Sequence, residues 1–232
     1  NYDGKYDGQF SMAGALKKSI NTVTVKTLME TGVDETIALA QKLGIETSLP
    51  RNPSLALGTG SVSLLEMTVA YANFANGGKR VTPHFITEIK DASGKTIYKK
   101  PQVEPTQSLQ PANAQQITAM LQGVVNDGTG KALKTRYGLP NQLAGKTGTA
   151  QNYSDGWFIG YNPQLVMGVW VGGSSPVVRF KTGTYGSGSA MALPIFGLAW
   201  QQINKSNNLN AMAQAKFATL SSALKEKLAC AD

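Results

Sequence analysis

The sequence contains one cysteine and one histidine among its 232 residues. A zinc site usually takes its ligands from several Cys and His side chains, and two such residues are too few to build one. Cys230 also has no second cysteine with which to form an internal disulfide, so cysteine use does not indicate a redox compartment. The composition therefore excludes a zinc site of this kind, and we expect neither a metal nor a cofactor.

Acidic residues are also few, at 14 against 22 Lys and Arg, which leaves a net charge of +8. The basic residues are scattered rather than massed, so the charge indicates an anionic neighbourhood at most and no nucleic-acid partner. Basic side chains are enriched between residues 79 and 100, where we expect a solvent-exposed edge hairpin.

Long hydrophobic runs are missing from the sequence. The best apolar stretch, 165–171, is far shorter than the roughly 20 residues that cross a bilayer. The chain opens on Asn1 rather than Met, and no charged segment followed by an apolar run stands at its start. We therefore expect that it was cut from a longer protein and that any targeting signal is to be sought outside it.

Apolar residues recur at helical spacing in some segments and form near-continuous runs in others. Ser63 and Glu66 form a capping box at the start of one helix. The pattern predicts helices at about 34–43, from Ser63 onward, and at about 112–124, 193–202 and 210–228. It also predicts a hairpin of strands 85–89 and 96–98. Three successive antiparallel strands are predicted between 143 and 171. Because near-continuous apolar strands are covered on both faces, we predict an α/β (α+β) fold with helices on both sides of an antiparallel sheet.

The segment Gly145-Lys146-Thr147-Gly148-Thr149 is the first candidate for chemistry. It is not a phosphate-binding loop, because that motif requires Gly at position 140, where Pro140 stands, and must lead into a helix. At a strand edge, by contrast, Lys146 would place an ammonium in a cleft, and Thr147 and Thr149 would share one face of the strand. Gly148 between them leaves room for an extended peptide. The segment therefore suits a peptide ligand that ends in a carboxylate.

A second motif upstream, Ser19-Ile20-Asn21, belongs with K-T-G-T to a known set of three motifs. S-x-x-K, S-x-N and K-T-G together mark class A β-lactamases and penicillin-binding proteins. The chain resembles the transpeptidase domain of class A penicillin-binding proteins, the bifunctional peptidoglycan synthases. The resemblance extends to the segments Asn1–Gly4, Leu57–Gly60, Ala75–Gly78, Gly123–Gly130 and Asp155–Tyr161. It also selects this K-T-G-T over the copy at Lys181–Thr184, because only the former precedes the Trp157-Phe158 strand.

The resemblance implies the role of each site residue. Lys146 would hold the nucleophile and proton relay electrostatically and attract the substrate carboxylate, which Thr147 and Thr149 would hydrogen-bond. The backbone N–H of Thr149 would be an oxyanion-hole donor. Ser19 would pass a proton to the leaving amine, and Asn21 would bind the donor peptide's amide.

The same resemblance implies how the rest of the chain is arranged. Tyr185, in the segment 185–188, would belong to a loop that closes the far side of the cleft. Residues 1–80 and 110–135 would form a mostly helical part with the S-x-N motif, 81–100 the hairpin, and 140–232 the sheet with K-T-G-T and the C-terminal helices.

The nucleophile of this set is missing. The single S-x-x-K in the chain is Ser222–Lys225, which follows K-T-G-T and is therefore in the wrong order for this fold; we interpret it as a solvated helix face. We expect the chain to be the C-terminal portion of the enzyme, with the serine supplied by the upstream part of the same polypeptide. Alone, it would not acylate.

The resemblance implies a D,D-transpeptidase that binds peptidoglycan stem peptides ending in D-Ala-D-Ala and is acylated by β-lactams. A class A β-lactamase is disfavoured, because no Glu here has Asn four positions on to activate water. A D,D-carboxypeptidase and a non-catalytic peptidoglycan- or partner-binding fragment remain alternatives. An upstream glycosyltransferase domain, a membrane anchor and a place on the outer face of the cytoplasmic membrane are also implied.

Four further residues have structural interpretations. His84 follows Pro83, and without a G-x-S-x-G elbow we expect a surface residue rather than a catalytic base. Trp157 and Trp170 are expected in the core or lining the cleft. Asp155 is expected to be a turn residue at the start of a strand.

Overall fold

A computed structural model of the protein describes residues 8–228. The segment Asn1–Gly4 and Cys230, both noted in the sequence, lie outside the described residues.

Four helices make up most of the first third of the chain, at Met12–Lys18 (α1), Asn21–Thr31 (α2), Val33–Leu43 (α3) and Leu64–Ala75 (α4). The capping box at Ser63 is confirmed, because Ser63 accepts from the Glu66 N–H and the Glu66 carboxylate accepts from the Ser63 N–H. The same carboxylate accepts from the Thr47 N–H at 2.7 Å. The backbone hydrogen bonds from Ser63 and then Thr47 lower the pKa of Glu66 to about 2. This side chain thus joins the start of α4 to the segment that follows α3.

The predicted hairpin is present, but it is shorter at its start than expected. Strands Lys79–Arg80 (β1), Glu88–Lys90 (β2), Thr96–Lys99 (β3) and Thr106–Gln107 (β4) form two small antiparallel pairs, β1 with β4 and β2 with β3. The prediction that the first strand begins at Phe85 is wrong, because β2 begins at Glu88, which pairs with Lys99. The pairing ends where the Lys100 N–H bonds to Thr87 O at 2.8 Å, so residue 85 stays outside it.

A long helix precedes the main sheet. Helix α5 covers Pro111–Asn126, and the short helix α6 covers Ala132–Thr135. Three antiparallel strands follow in the order β5-β6-β7, at Ala144–Thr149, Asp155–Tyr161 and Val166–Gly172. Lys146 pairs with Ile159 and Thr147 with Phe158, so β5 is an edge strand and β6 the centre. The three strands predicted between residues 143 and 171 are confirmed.

Helices cover both faces of this sheet, as predicted. Gly183–Gly186 (α7), Gly188–Lys205 (α8), Asn210–Ala213 (α9) and Ser222–Leu228 (α10) complete the described helices. On the α8 face Phe158 meets Phe196 edge-on at 4.8 Å between ring centroids. On the opposite face Tyr161 packs with Leu121 and Val124 of α5. The fold class, α+β with helices on both sides of an antiparallel sheet, is confirmed.

Two expectations about burial and helix length are wrong. Trp170, expected in the core or the cleft wall, is 43% exposed, because β7 is the outer strand on the side away from β5. The single helix expected over 210–228 is broken between α9 and α10. Phe217 lies in that gap, packs edge-on against Tyr161 at 5.9 Å, and donates its backbone N–H to the Gln142 side chain. Packing of this partly buried ring compensates for the helical hydrogen bonds that the break removes.

Among the helices of residues 8–228, none combines the length and the apolar character needed to cross a membrane.

Candidate active site

The predicted Ser19 lies at the sharp junction between α1 and α2. It ends α1 in the left-handed conformation, with φ 59° and ψ 50°, and the Ile20 N–H bonds back to Ala15 O at 2.9 Å. A non-glycine residue in this region is uncommon and costs roughly 1–2 kcal/mol. Asn21 is the first residue of α2 and half-buried. The turn therefore exposes the Ser19 side chain between two helix ends.

Lys146 of β5 reaches this junction from 127 positions further along the chain. Its ammonium donates to Ser19 Oγ at 2.8 Å and to the carbonyl oxygen of Thr147 at 2.9 Å. Burial lowers the pKa of Lys146 to about 8, because desolvation disfavours the charged form. The ammonium still predominates at pH 7, by about ten to one. The structure thus joins the S-x-N and K-T-G-T motifs through a charge-assisted hydrogen bond.

The backbone of β5 has one edge free of the sheet. The Ala150 N–H bonds to Asp155 O at 3.0 Å. Because hydrogen-bonded pairs alternate with non-bonded pairs in an antiparallel ladder, Gly148 and Lys146 direct their backbone groups to β6, whereas Thr147 and Thr149 direct theirs to the free edge. The Thr147 carbonyl that Lys146 reaches is on this edge. The Thr149 N–H therefore faces outward, as an oxyanion-hole donor must.

The two predicted threonines of β5 have partners in different elements. Thr147 Oγ1 lies 2.8 Å from the hydroxyl oxygen of Thr129, and Thr149 Oγ1 accepts the backbone N–H of Gly188 at 3.0 Å. A Cβ added at Gly148 would lie 3.1 Å from Trp157 Cβ, a close contact that glycine avoids. The threonine hydroxyls are thus held in place at the strand edge that a peptide would approach.

The expectation that Tyr185 lies in a loop is wrong, because Tyr185 belongs to the one-turn helix α7. Its side chain is 69% exposed, and its ring centroid lies 6.5 Å from that of Phe180. The turn is closed by the Gly186 N–H, which bonds to Thr182 O at 3.0 Å. The described contacts join Tyr185 to its own segment rather than to the Ser19–Lys146 pair.

Sequence reasoning missed Thr129. Residues 126–130 belong to a segment of the family resemblance, and their composition of Asn, Asp, Gly and Thr by itself indicates only a loop. The sequence Gly128-Thr129-Gly130 contained a usable signal. Glycines on both sides of a threonine allow other backbone segments to approach closely, and they leave one polar side chain at that point.

The structural interpretations of four other residues hold. His84 is exposed, and its Nδ1 lies 2.8 Å from Lys100 Nζ. Asp155 begins β6 and accepts the Trp157 Nε1–H at 2.9 Å. Ser222 and Lys225 are both exposed on α10, as expected for a solvated helix face.

Two observations bear on ligands elsewhere. Within residues 8–228, no group of three or more His, Cys, Asp or Glu side chains is placed to hold a metal ion. A groove of about 1260 Å³ lies along the hairpin region, bounded by residues 80–85 and 100–108, and neither Ser19 nor Lys146 lines it.

Residues 1–190 match the family described as penicillin binding protein transpeptidase domain. Penicillin-binding protein 1A of Rickettsia conorii is 35% identical over 218 residues, covering 84% of this chain and 27% of the relative. Penicillin-binding protein 1A of Neisseria meningitidis is 36% identical over 206 residues, covering 84% and 25%. The chain thus spans about a quarter of the length of these curated relatives.

Solved structures share the fold at lower identity. Penicillin-binding protein 1A from Haemophilus influenzae has a TM-score of 0.82 at 21% identity, covering 96% of this chain and 37% of that one. PonA1 from Mycobacterium tuberculosis, in complex with penicillin V, has a TM-score of 0.76 at 24% identity, covering 95% and 61%. The family match over most of the sequence and the relatives above 30% identity lead to one conclusion: this chain belongs to the penicillin-binding protein transpeptidase family.

Proposed function

We propose that this chain is part of a D,D-transpeptidase domain that cross-links peptidoglycan stem peptides through a serine acyl-enzyme. The nucleophilic serine, with its S-x-x-K lysine, stands in the polypeptide upstream of residue 1. The observation that supports this most is the 2.8 Å hydrogen bond from Lys146 Nζ to Ser19 Oγ, which joins residues 127 positions apart. A hydroxyl held by a partly desolvated ammonium is suited to passing a proton between a nucleophile and a leaving group.

In the first half-reaction, the serine hydroxyl attacks the carbonyl carbon of the penultimate D-Ala. The carbonyl oxygen gains negative charge and accepts the outward-facing N–H of Thr149. The peptide C–N bond then breaks, the proton released by the attacking serine passes through Ser19 to the departing D-Ala amine, and the donor peptide remains as a serine ester. Asn21 binds the amide of the donor peptide during this step.

In the second half-reaction, the amine of an acceptor stem peptide attacks the ester carbonyl. A new amide forms, the amine proton returns through Ser19, and the serine hydroxyl is regenerated. Hydrolysis by water instead of an amine would make the enzyme a D,D-carboxypeptidase, so only the acceptor separates the two activities.

The positive charge of Lys146 on β5 favours a substrate that ends in a carboxylate. Lys146 attracts the C-terminal carboxylate of the stem peptide, and the hydroxyls of Thr147 and Thr149 hydrogen-bond it. The carboxylate of a β-lactam occupies the same position, so β-lactams acylate the same serine. Tyr185 borders the cleft from α7 in this proposal. The longer protein also has a glycosyltransferase domain and a membrane anchor, with this domain on the outer face of the cytoplasmic membrane.

Labelled penicillin tests the proposal. The polypeptide extended upstream to include the S-x-x-K tetrad should take up label covalently, and the same polypeptide with that serine changed to Ala should take up none. The 232-residue chain alone should remain unlabelled. If the extended wild-type polypeptide takes up no label, the chain is a non-catalytic binding module. Incubation with a stem-peptide donor, with and without an amine acceptor, then separates transpeptidase from carboxypeptidase products.

A further inference from the structure

The segment that joins α5 to α6, here called the Gly-Thr-Gly loop (127–131), contacts both halves of the candidate site. The Thr129 hydroxyl oxygen lies 2.8 Å from Thr147 Oγ1, and the Thr129 backbone N–H donates to Lys17 O at 3.3 Å. Lys17 stands two residues before Ser19, and Thr147 directly follows Lys146. The loop therefore joins the two chain segments that hold the Ser19–Lys146 pair.

The packing of the loop determines where Thr129 lies. A Cβ on Gly128 would lie 2.5 Å from Lys17 O and 2.8 Å from Val124 Cα, so only glycine allows this approach to α1. Asp127 accepts from the Lys17 ammonium at 3.1 Å, and the Gly130 N–H bonds to Val124 O at 2.9 Å. Backbone contacts on both sides thus hold Thr129 against β5.

Either hydroxyl could donate in this contact, and an anion beside β5 would set the direction, because each hydroxyl has one hydrogen to donate. A hydroxyl donates one hydrogen bond and accepts two. When Thr129 donates to Thr147 Oγ1, the Thr147 proton is left to point at an anion beside β5. A hydroxyl that already accepts a hydrogen bond is polarised and donates more strongly. Threonine side chains also occupy few χ1 rotamers, so this partner keeps the Thr147 oxygen in one orientation.

We propose that Thr129 is a positioning residue for recognition of the substrate carboxylate. It donates its hydroxyl hydrogen to Thr147, and Thr147 in turn donates to the terminal carboxylate of the stem peptide or to the carboxylate of a β-lactam. This inference rests on the proposed function, because it assumes that Thr147 contacts that carboxylate. It adds a residue that does not touch the ligand and acts through the one that does.

The test compares two acylating compounds that differ only at the carboxylate. Benzylpenicillin and its methyl ester are reacted with the extended polypeptide, and the ratio of their second-order acylation rates measures recognition of the charge. Thr129→Val, which removes the hydroxyl at nearly constant shape, should lower this ratio about five-fold, the effect of about one hydrogen bond. Thr129→Ser should retain it. Thr135→Val is the matched control, because the Thr135 hydroxyl bonds to Lys131 O within its own short helix.

Thr147→Val separates this inference from the proposed function. If Thr147→Val lowers the ratio and Thr129→Val leaves it unchanged, the inference is wrong and the role of Thr147 stands. If Thr147→Val leaves the ratio unchanged, Thr147 does not bind the carboxylate. In that case both the role proposed for Thr147 and the inference about Thr129 are wrong. Equal slowing with both compounds in Thr129→Val would indicate a purely structural role and would also overturn the inference. Should Thr129→Val not fold, Thr129→Ala is measured in its place and judged by the same ratio.

Discussion

Thr149 Oγ1 accepts the backbone N–H of Gly188 at 3.0 Å, and this bond joins the end of β5 to the first residue of α8. The two elements approach so closely that a Cβ on Gly188 would overlap the carbonyl oxygen of Gly148. Both contacts involve the K-T-G-T segment. The position of α8 therefore determines how the Thr149 hydroxyl and N–H are presented at the free edge of the sheet.

Gly188→Ala should disturb this junction. The methyl group meets backbone atoms, which cannot rotate away, so we expect a loss of about 1–3 kcal/mol in the free energy of unfolding. The gain in helix propensity from Gly to Ala, about 1 kcal/mol, is too small to offset it at this position. Urea unfolding checks the stability. In Gly123→Ala, the new Cβ in α5 would have only Lys17 Cδ nearby, at 3.9 Å, so this control should be neutral or stabilised. Equal behaviour of the two variants would contradict the predicted close contact.

Lys146→Ala should slow acylation of the extended polypeptide by roughly 100- to 1,000-fold, the cost that removal of one preorganised electrostatic group typically has. The second copy of the motif supplies a matched control, because Lys181 also precedes Thr-Gly-Thr but lies in an exposed segment after β7. Lys181→Ala should acylate at the normal rate. Stopped-flow measurement with a reporter β-lactam checks both variants, and circular dichroism confirms their folding. Unchanged kinetics in Lys146→Ala would remove this residue from the site.

The lowered pKa of Lys146 predicts a stability change with pH. In the unfolded chain a lysine titrates near 10.4, whereas burial places the pKa of Lys146 at about 8 in the folded protein. Between these values the unfolded state binds more protons, so this lysine makes the free energy of unfolding rise with pH from about 8 upward. Below pH 8 the desolvation penalty is present in full.

Urea unfolding of the wild type and of Lys146→Met between pH 7.5 and 9.5 measures this contribution. The difference between their free energies should change by about 1–2 kcal/mol in favour of the wild type as pH rises. This range lies below the titration of Tyr71, whose pKa burial raises to about 12, and subtraction removes the contribution of other lysines. Parallel pH curves would show that Lys146 is not desolvated.

The aromatic core under β6 should dominate stability. Phe158 is fully buried, at 0% exposed, and packs against Phe196, whereas Phe85 is 89% exposed in the hairpin region. Phe158→Ala should cost about 3–5 kcal/mol through lost burial and a cavity. Phe85→Ala, the same chemical change at the surface, should stay within about 0.5 kcal/mol of the wild type. Thermal and urea unfolding compare them, and a large loss in Phe85→Ala would show that this ring is buried in solution.

Local patterns in the sequence predicted those elements whose stability depends on neighbouring residues. The capping box of Ser63 and Glu66 needs only groups three positions apart, and it forms as expected. The three strands between 143 and 171 are marked by apolar runs with turns between them, and they too form as predicted. The break in the last predicted helix had no such local signal, because it depends on packing of the Phe217 ring against Tyr161 in a different part of the chain.

The sequence by itself determined the local periods, caps and turns, and the order of its two motifs was enough to indicate the family. Only the tertiary structure decided which side chains meet: Lys146 with Ser19, Thr147 with Thr129, and Thr149 with the start of α8. The reason is physical. Periodicity arises from backbone geometry within a few residues, whereas a hydrogen bond between distant residues depends on how whole helices and strands pack, and that packing is a property of the folded chain.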